Sequence, residues 1–164
     1  MPLTVRAATP ADVDVIAEFN RRMALETEHR VLDPGVLWPG VRAVLEDPAR
    51  GVYHVVERAG EVVGQLLITT EWSDWRNGWF WWIQSVFVRE DARRLGVFRL
   101  LYDHVCAQAR AQGDVVGLRL YVERDNRRAQ STYERLGMGA TDYLLLERCP
   151  LDASEVRADS ANGV

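Results

Sequence analysis

Residues 80–101 read Phe-Trp-Trp-Ile-Gln-Ser-Val-Phe-Val, then Arg-Glu-Asp-Ala-Arg-Arg-Leu-Gly, then Val-Phe-Arg-Leu-Leu, and predict a strand, a basic turn and a helix. The first nine residues are rich in aromatic and β-branched side chains, as in a buried strand. The last five have the apolar spacing of one helix face. Arg93 and Arg94 lie in the turn, where a helix start presents unpaired backbone N–H groups and positive charge. The sequence therefore predicts an anion site at this turn, most simply for a phosphate.

This turn alone does not identify its ligand. Arg-Arg-Leu-Gly-Val-Phe contains a single glycine, whereas a dinucleotide fingerprint and a P-loop need several glycines at set spacings. Two solvated arginines at a helix start would give the same charge pattern. The rest of the chain has to decide between these alternatives.

Length and composition are those of one ordinary globular domain. The chain has 164 residues, of which 48% are hydrophobic and 27% charged, enough to bury a core without disulfides or metal. A net charge of -4 disfavours a general nucleic-acid binder, so any basic site must be local. Cys106 and Cys149 belong to no motif, which favours a reduced setting, and the sequence shows no signal peptide or membrane-spanning apolar run. We therefore expect a cytoplasmic protein that binds neither nucleic acid nor membrane.

Further elements are predicted on both sides of the basic turn. Periodicity and turn signals indicate strands at residues 3–8, 52–58, 61–72, 80–88, 115–123 and 138–148, and helices at about residues 9–27, 34–48, 96–111 and 126–137. Antiparallel strands followed by a right-handed β-α-β crossover predict an α/β (α+β) fold, with one mixed central sheet of about six to seven strands and about four flanking helices. Residues 1–148 are predicted to form a single domain and residues 149–164 a frayed polar tail.

Glu26 is a candidate because of its position on the first predicted helix. Ile16, Phe19 and Met23 form an apolar stripe, and the same spacing continues to Glu26. This pattern predicts a carboxylate that faces inward. The alternative is an exposed helix end with a solvated Glu26.

Glu71 and a group of tryptophans are further candidates. A two-residue turn at Asn77-Gly78 would place Glu71 opposite Gln84 on one face of the sheet. Five of the six tryptophans lie between residues 72 and 82, more than a core usually needs at a strand end. They predict a substrate wall or, alternatively, a contact between copies of the chain, so a homodimer is a further expectation.

Two segments resemble the GNAT superfamily of N-acetyltransferases, which use acetyl-coenzyme A (acetyl-CoA). Val86-Phe87-Val88 followed by Arg93-Arg94-Leu95-Gly96-Val97-Phe98 is similar to the family's Q/R-x-x-G-x-G/A pyrophosphate loop, with Phe98 where glycine or alanine is usual. Residues 126–138, Asn-Arg-Arg-Ala-Gln-Ser-Thr-Tyr-Glu-Arg-Leu-Gly-Met, look like the family's Asn-x-x-Ala-x-x-x-Tyr-x-x-x-Gly-Phe segment. The order of elements from residue 3 to residue 148 agrees as well, so the resemblance implies a GNAT fold.

The resemblance implies direct transfer of an acetyl group to an amine in a ternary complex. It carries the cofactor-binding role to Val86, Phe87, Val88, Arg93, Arg94, Leu95, Gly96, Val97, Phe98, Asn126 and Ala129. The backbone of Val86 and Val88 would bind the pantetheine arm and offer an oxyanion donor, and Tyr133 would protonate the leaving thiolate. No motif fixes the general base, for which Glu26, Glu71, Glu123 and a water relay from a more distant carboxylate are candidates.

The acceptor is not identified by these motifs. The predicted substrate-binding residues are Glu26, Glu71, Trp72, Asp74, Trp75, Trp82 and Gln84, whose carboxylates and aromatic rings favour a small cationic amine. A polyamine-like or aminoglycoside-like compound and a protein amine also fit. Two rival hypotheses are a catalytically silent acyl-CoA sensor on the same fold and an unrelated α/β scaffold without coenzyme. Ser85, Cys106 and the histidines lack the spacing of a triad or metal site, so no metal is expected.

Overall fold

The structure, a computed structural model, describes residues 2–151. Of the predicted tail, residues 152–164 lie outside the described residues. The described chain divides into two compact units, residues 2–121 and residues 122–151, and each is described by itself. The strands are β1 (Leu3–Ala7), β2 (Val52–Arg58), β3 (Glu61–Ser73), β4 (Gly78–Val88) and β5 (Val115–Leu120), and the α-helices are α1 (Val13–Glu28), α2 (Pro34–Glu46), α3 (Val97–Gln112) and α4 (Arg127–Arg135).

The first unit contains one mixed sheet in the order β1-β2-β3-β4-β5. The first four strands pair antiparallel, and β5 pairs parallel with β4. Helix α3 connects β4 to β5, because neighbouring parallel strands need a crossover connection. This arrangement confirms the predicted α/β fold with antiparallel strands followed by a β-α-β crossover.

Helices pack on both faces of this sheet. On one face, Val97, Leu101 and Val105 of α3 pack against a buried cluster that includes Leu66 and Trp81. On the other face, Ile16 of α1 and Val41 of α2 pack with Tyr53 and Val55 of β2. Alternate residues of each strand supply the two clusters, as the two-residue period of a strand requires.

The β3–β4 hairpin differs from its predicted register. Ser73 pairs with Gly78, so four residues rather than two form the loop, and Glu71 lies opposite Phe80 instead of Gln84. The two-residue turn is therefore wrong. Glycine at position 78 therefore does not serve a two-residue turn. A Cβ atom there would lie 2.7 Å from the Asp114 carbonyl oxygen, so only glycine lets the start of β5 approach this closely.

The second unit contains α4 but no described strand. The Asn126 side chain caps the helix by accepting a hydrogen bond from the Ala129 N–H at 3.1 Å. Gly137, at a φ of +85°, follows the helix end. The predicted strand at residues 138–148 is absent, and Tyr143 within this apolar run is 78% exposed. The described sheet therefore has five strands rather than six or seven.

Candidate active site

The turn between β4 and α3 has the geometry of an open helix start. Arg94 and Gly96 adopt positive φ values of 68° and 83°. Val97, the first residue of α3, rests on the backbone of Gly64, where a Cβ atom would lie 2.6 Å from Val97 Cγ1. The first N–H groups of a helix have no acceptor within it. The turn therefore offers an anion these N–H groups and the exposed side chain of Arg94.

Arg93, the first residue of the predicted loop, contacts protein groups instead of extending into solvent. Its Nε donates a hydrogen bond to the Val88 carbonyl at 3.0 Å, and its Nη2 lies 2.6 Å from Glu26 Oε2. The Glu26 side chain is 47% exposed, so the expectation that it faces inward is wrong and the exposed helix end is correct. The ion pair joins the last turn of α1 to the end of β4.

Strand β4 loses its parallel neighbour halfway along. The last β4–β5 pair is Ile83 with Leu120, and residues 84–88 pair only with β3 within the first unit. The Arg89 N–H donates to β3, and peptide groups alternate in direction along a strand, so the N–H groups of Val86 and Val88 point to the edge that β5 has left. This edge can bind an extended ligand as an added strand would bind.

A β-bulge lies where the two strands part. The pairing of β3 with β4 shifts between Leu67 and Ile68, which leaves Gln84 as an additional residue in β4. The Gln84 side chain donates a hydrogen bond to Thr69 Oγ1 at 2.9 Å. The bulge thus bends β4 between its paired half and its free edge.

Glu71 belongs to a compact group of side chains on one sheet face, which we call the Glu71 cluster: Glu71, Phe80, Trp82, Arg119 and Tyr121. Trp82 Nε1 donates to Glu71 Oε2 at 2.6 Å, and Arg119 Nη1 lies 3.3 Å from Glu71 Oε1. The Arg119 guanidinium lies 3.5 Å from the centre of the Phe80 ring. The Trp82 and Tyr121 rings stack with their centres 4.6 Å apart.

Sequence reasoning missed Arg119, Phe80 and Tyr121 as members of this group. The signal in the sequence was the charged Arg119 between Leu118 and Leu120 in an apolar strand. That Arg119 lies near Glu71 follows only from the cross-strand pairs Glu71 with Phe80 and Trp82 with Arg119. The incorrect hairpin register did not pair Glu71 with Phe80, so it did not bring Arg119 close to Glu71. A charge in that position neutralises part of the predicted acidic surface.

The tryptophans of the predicted wall do not share one face. Trp82 lies in the Glu71 cluster, whereas Trp72 lies on the opposite face and packs edge-on against Trp79 with ring centres 5.0 Å apart. Trp81 is a buried core residue, and Trp75 is 85% exposed in the turn. Asp74 is also in the turn, where its Oδ1 accepts a hydrogen bond from the Trp75 N–H. The five tryptophans therefore do not form one surface, and their role in substrate binding or in a contact between copies stays a prediction.

A buried polar chain lies beneath α1 on the sheet face that carries Glu71, and the sequence patterns did not reveal it. Gln65 Nε2 donates to Asn20 Oδ1 at 2.6 Å, and Asn20 Nδ2 donates to the Tyr53 hydroxyl at 3.0 Å. Burial raises the pKa of Tyr53. The chain joins α1 to β2 and β3, so it fixes the helix that carries Glu26.

The second unit places two predicted residues on one helix. Asn126 caps α4, and Tyr133 lies within it. Burial raises the pKa of the Tyr133 hydroxyl. Glu123, a candidate base, accepts a hydrogen bond from the Asp125 N–H at 2.8 Å.

The described residues contain neither a membrane-spanning helix nor a metal-ligand cluster. Among residues 2–151, no helix has both the length and the apolar character needed to cross a bilayer. In the same part of the chain, His, Cys, Asp and Glu side chains form no group of three or more that could hold a metal ion.

The sheet order, the crossover through α3 and the strands that part beside a basic helix start agree with the acyltransferase fold that the sequence predicts. A family model described as "Acetyltransferase (GNAT) family" matches residues 17–138. The chain belongs to the GNAT family of acetyltransferases. The predicted family and enzyme class are confirmed.

Solved structures agree with this assignment. A possible acetyltransferase from Clostridium difficile 630 is 44% identical, with a TM-score of 0.85 over 90% of this chain and 97% of that chain. A ribosomal-protein-alanine N-acetyltransferase from Brucella melitensis biovar Abortus 2308 is 16% identical, with a TM-score of 0.73 over 90% and 98%. The aminoglycoside N-acetyltransferase AAC(6')-Iy in complex with CoA is 12% identical, with a TM-score of 0.74 over 90% and 94%. The last two show the fold alone. A comparison with curated proteins finds no match.

Proposed function

We propose that this chain transfers an acetyl group from acetyl-CoA to the amine of a small acceptor. The observation that carries the proposal is the free edge of residues 84–88 beside the open start of α3. A pantetheine arm contains amide groups that pair with a strand edge, and a pyrophosphate suits a helix start. One continuous surface of the first unit thus matches both parts of coenzyme A.

Specific groups of the first unit fit the acyl donor. The N–H groups of Val86 and Val88 would pair with the pantetheine amides, and one of them would donate to the oxyanion. The first N–H groups of α3 and the exposed guanidinium of Arg94 would bind the pyrophosphate. Phe98 packs along the helix against Tyr102, with ring centres 6.1 Å apart, so its side chain is compatible with a backbone-lined loop.

The chemistry requires two proton transfers. The acceptor arrives as an ammonium and must lose a proton before its nitrogen attacks the thioester carbonyl carbon, and we assign this step to Glu71, directly or through water. Glu26 and Glu123 are the alternative bases, although the ion pair of Glu26 with Arg93 suits a positioning role better. As the C–S bond breaks, Tyr133 donates its hydroxyl proton to the thiolate. A tyrosine hydroxyl is protonated at neutral pH, as a proton donor must be, and burial raises its pKa further.

The acceptor is proposed to be a small amine, bound in its cationic form near Glu71 and Trp82. The ammonium charge suits the Glu71 carboxylate, whose side chain is 48% exposed, and the neighbouring aromatic rings. Transfer to a protein amine is the second candidate acceptor class from the sequence. The cytoplasmic location and a homodimer stay predictions.

The experiment measures acetyl-CoA-dependent release of free CoA over an amine panel for the wild type and Tyr133→Phe. We expect kcat to fall by about 10²–10⁴-fold with little change in the KM for acetyl-CoA, because the substitution removes the acid and not the binding edge. Tyr143→Phe is the matched control, since Tyr143 is 78% exposed, and its activity should equal that of the wild type. Tight acetyl-CoA binding without turnover of any amine would instead support the silent sensor.

A further inference from the structure

We propose that the Glu71 cluster recognises a zwitterion, an acceptor of the α-amino-acid type whose ammonium and carboxylate are bonded to the same carbon. This inference rests on the proposed function and narrows its acceptor class. The inference follows from the pairing of the Arg119 and Glu71 charges beside the free edge of β4, where the thioester is proposed to bind. All five residues of the Glu71 cluster belong to the first unit.

The cluster lies next to the point where β4 and β5 part. Trp82 pairs with Arg119, and the following pair, Ile83 with Leu120, is the last before the free edge of β4 begins. The side chains of Glu71, Trp82 and Arg119 share one sheet face because their strand positions are in register or two residues apart. An acceptor bound on this face would hold its nitrogen close to the edge proposed for the thioester.

Arg119 is held in a fixed orientation that leaves donors available. Its guanidinium stacks 3.5 Å from the centre of the Phe80 ring, and that ring rests on Gly117, where a Cβ atom would lie 2.8 Å from Phe80 Cε1. Among residues 2–151, the only hydrogen bond that the Arg119 side chain donates goes to Glu71 at 3.3 Å, and this side chain is 27% exposed. A guanidinium has five N–H donors in one plane, which suits bidentate pairing with a carboxylate.

Glu71 supplies the opposite charge and has acceptor lone pairs that remain accessible. Its carboxylate accepts from Trp82 and Arg119, yet its side chain is 48% exposed, so lone pairs are accessible to a ligand ammonium. A simple cation at Glu71 would lie beside the like charge of Arg119, which disfavours it. A zwitterion satisfies both side chains at once, with its ammonium on Glu71 and its carboxylate on Arg119. The stacked rings of Trp82 and Tyr121 then provide an apolar surface for its side chain.

The experiment compares acceptors that differ only in the carboxylate. Free CoA release is measured with L-phenylalanine, L-phenylalaninamide and phenethylamine, and with the corresponding leucine series. We expect kcat/KM for the amino acid to exceed that for its amide and its decarboxylated amine by between about 10- and 100-fold, the usual effect of one charge-assisted pair. Equal or better turnover of the amides and amines would overturn the zwitterion assignment while leaving the proposed acetyl transfer intact.

Variants of Arg119 separate recognition from structure. Arg119→Met should lower kcat/KM for the amino acid by at least about tenfold, remove the preference over the amide and leave the KM for acetyl-CoA unchanged, and Arg119→Lys should restore part of the preference. Arg76→Met is the matched control, because Arg76 also lies over the Phe80 ring, at 5.2 Å, but does not contact Glu71. Thermal unfolding checks that each variant is folded. An unchanged preference in folded Arg119→Met would refute the inference, and a wild type that neither binds acetyl-CoA nor turns over any amine would refute the proposed function as well.

Discussion

Gly64→Ala would disturb the start of α3, although Gly64 is not itself a predicted ligand residue. The added Cβ would lie 2.6 Å from Val97 Cγ1, whereas ordinary contacts begin at 3.4 Å, so the two elements must separate by about 1 Å. Val97 is 1% exposed and packs in the same core as Leu101 and Val105, which leaves its side chain no free space to move into. Overpacking of this kind costs about 1–3 kcal/mol.

The predicted loss is measurable in two assays. For a chain of this length, the loss corresponds to a fall in Tm of about 2–12 °C by thermal unfolding. A shift of the first turn also moves the N–H groups proposed for the pyrophosphate. The KM for acetyl-CoA should therefore rise by about tenfold, equivalent to weakening one hydrogen bond to a charged group. The KM for the acceptor should change less, because the Glu71 cluster lies farther from the start of α3 than the end of β4 does.

Two controls test the cause. Gly40→Ala in α2 introduces a Cβ with no atom within 4 Å and should leave stability equal or up to about 1 kcal/mol higher. Val97→Ala removes the clashing methyl group. The double variant Gly64→Ala/Val97→Ala should therefore lose less stability than the two single variants together, by at least about 0.5 kcal/mol. Unchanged stability and unchanged KM in Gly64→Ala, or strict additivity in the double variant, would refute the assignment of this contact.

Two further predictions concern stability. Burial, with a contribution from His104, lowers the pKa of His54 to about 4. Because protonation of His54 therefore favours the unfolded chain, the free energy of unfolding of the wild type should fall by about 2 kcal/mol from pH 7 to pH 5. In denaturant titrations, His54→Leu should remove this part of the loss. Asp12→Ala should lower stability by about 1–3 kcal/mol, because Asp12 accepts from the Thr9 N–H and pairs with Arg6. Since Arg6 lowers the pKa of Asp12, this stabilisation is present above about pH 4 and is lost as the pH falls below it, so the variant and the wild type should converge in acid.

Local patterns were sufficient where the physical cause is local. The basic turn, the helix that begins near Asn126 and the crossover depend on residues close in sequence, and the structure contains all three. The hairpin register depends instead on how closely β5 approaches Gly78, which is a contact between distant residues. A wrong register moved Glu71 four residues along β4, so the pairing with Arg119 could not be predicted. The strand at residues 138–148 shows the same limit, because a strand also needs a partner.

Arg93 shows how the structure refines the proposed anion site. The resemblance assigns it to the pyrophosphate loop, but its guanidinium is engaged by the Val88 carbonyl and by Glu26. A phosphate would have to compete with both contacts, and the Glu26 carboxylate lies on the surface beside it. The charge available to a pyrophosphate is therefore that of Arg94 and of the α3 N-terminus, while Arg93 fixes the end of β4 against α1. In that position Arg93 orients the Val88 peptide group at the strand edge, so its contribution to coenzyme binding would pass through the backbone rather than through a direct ion pair.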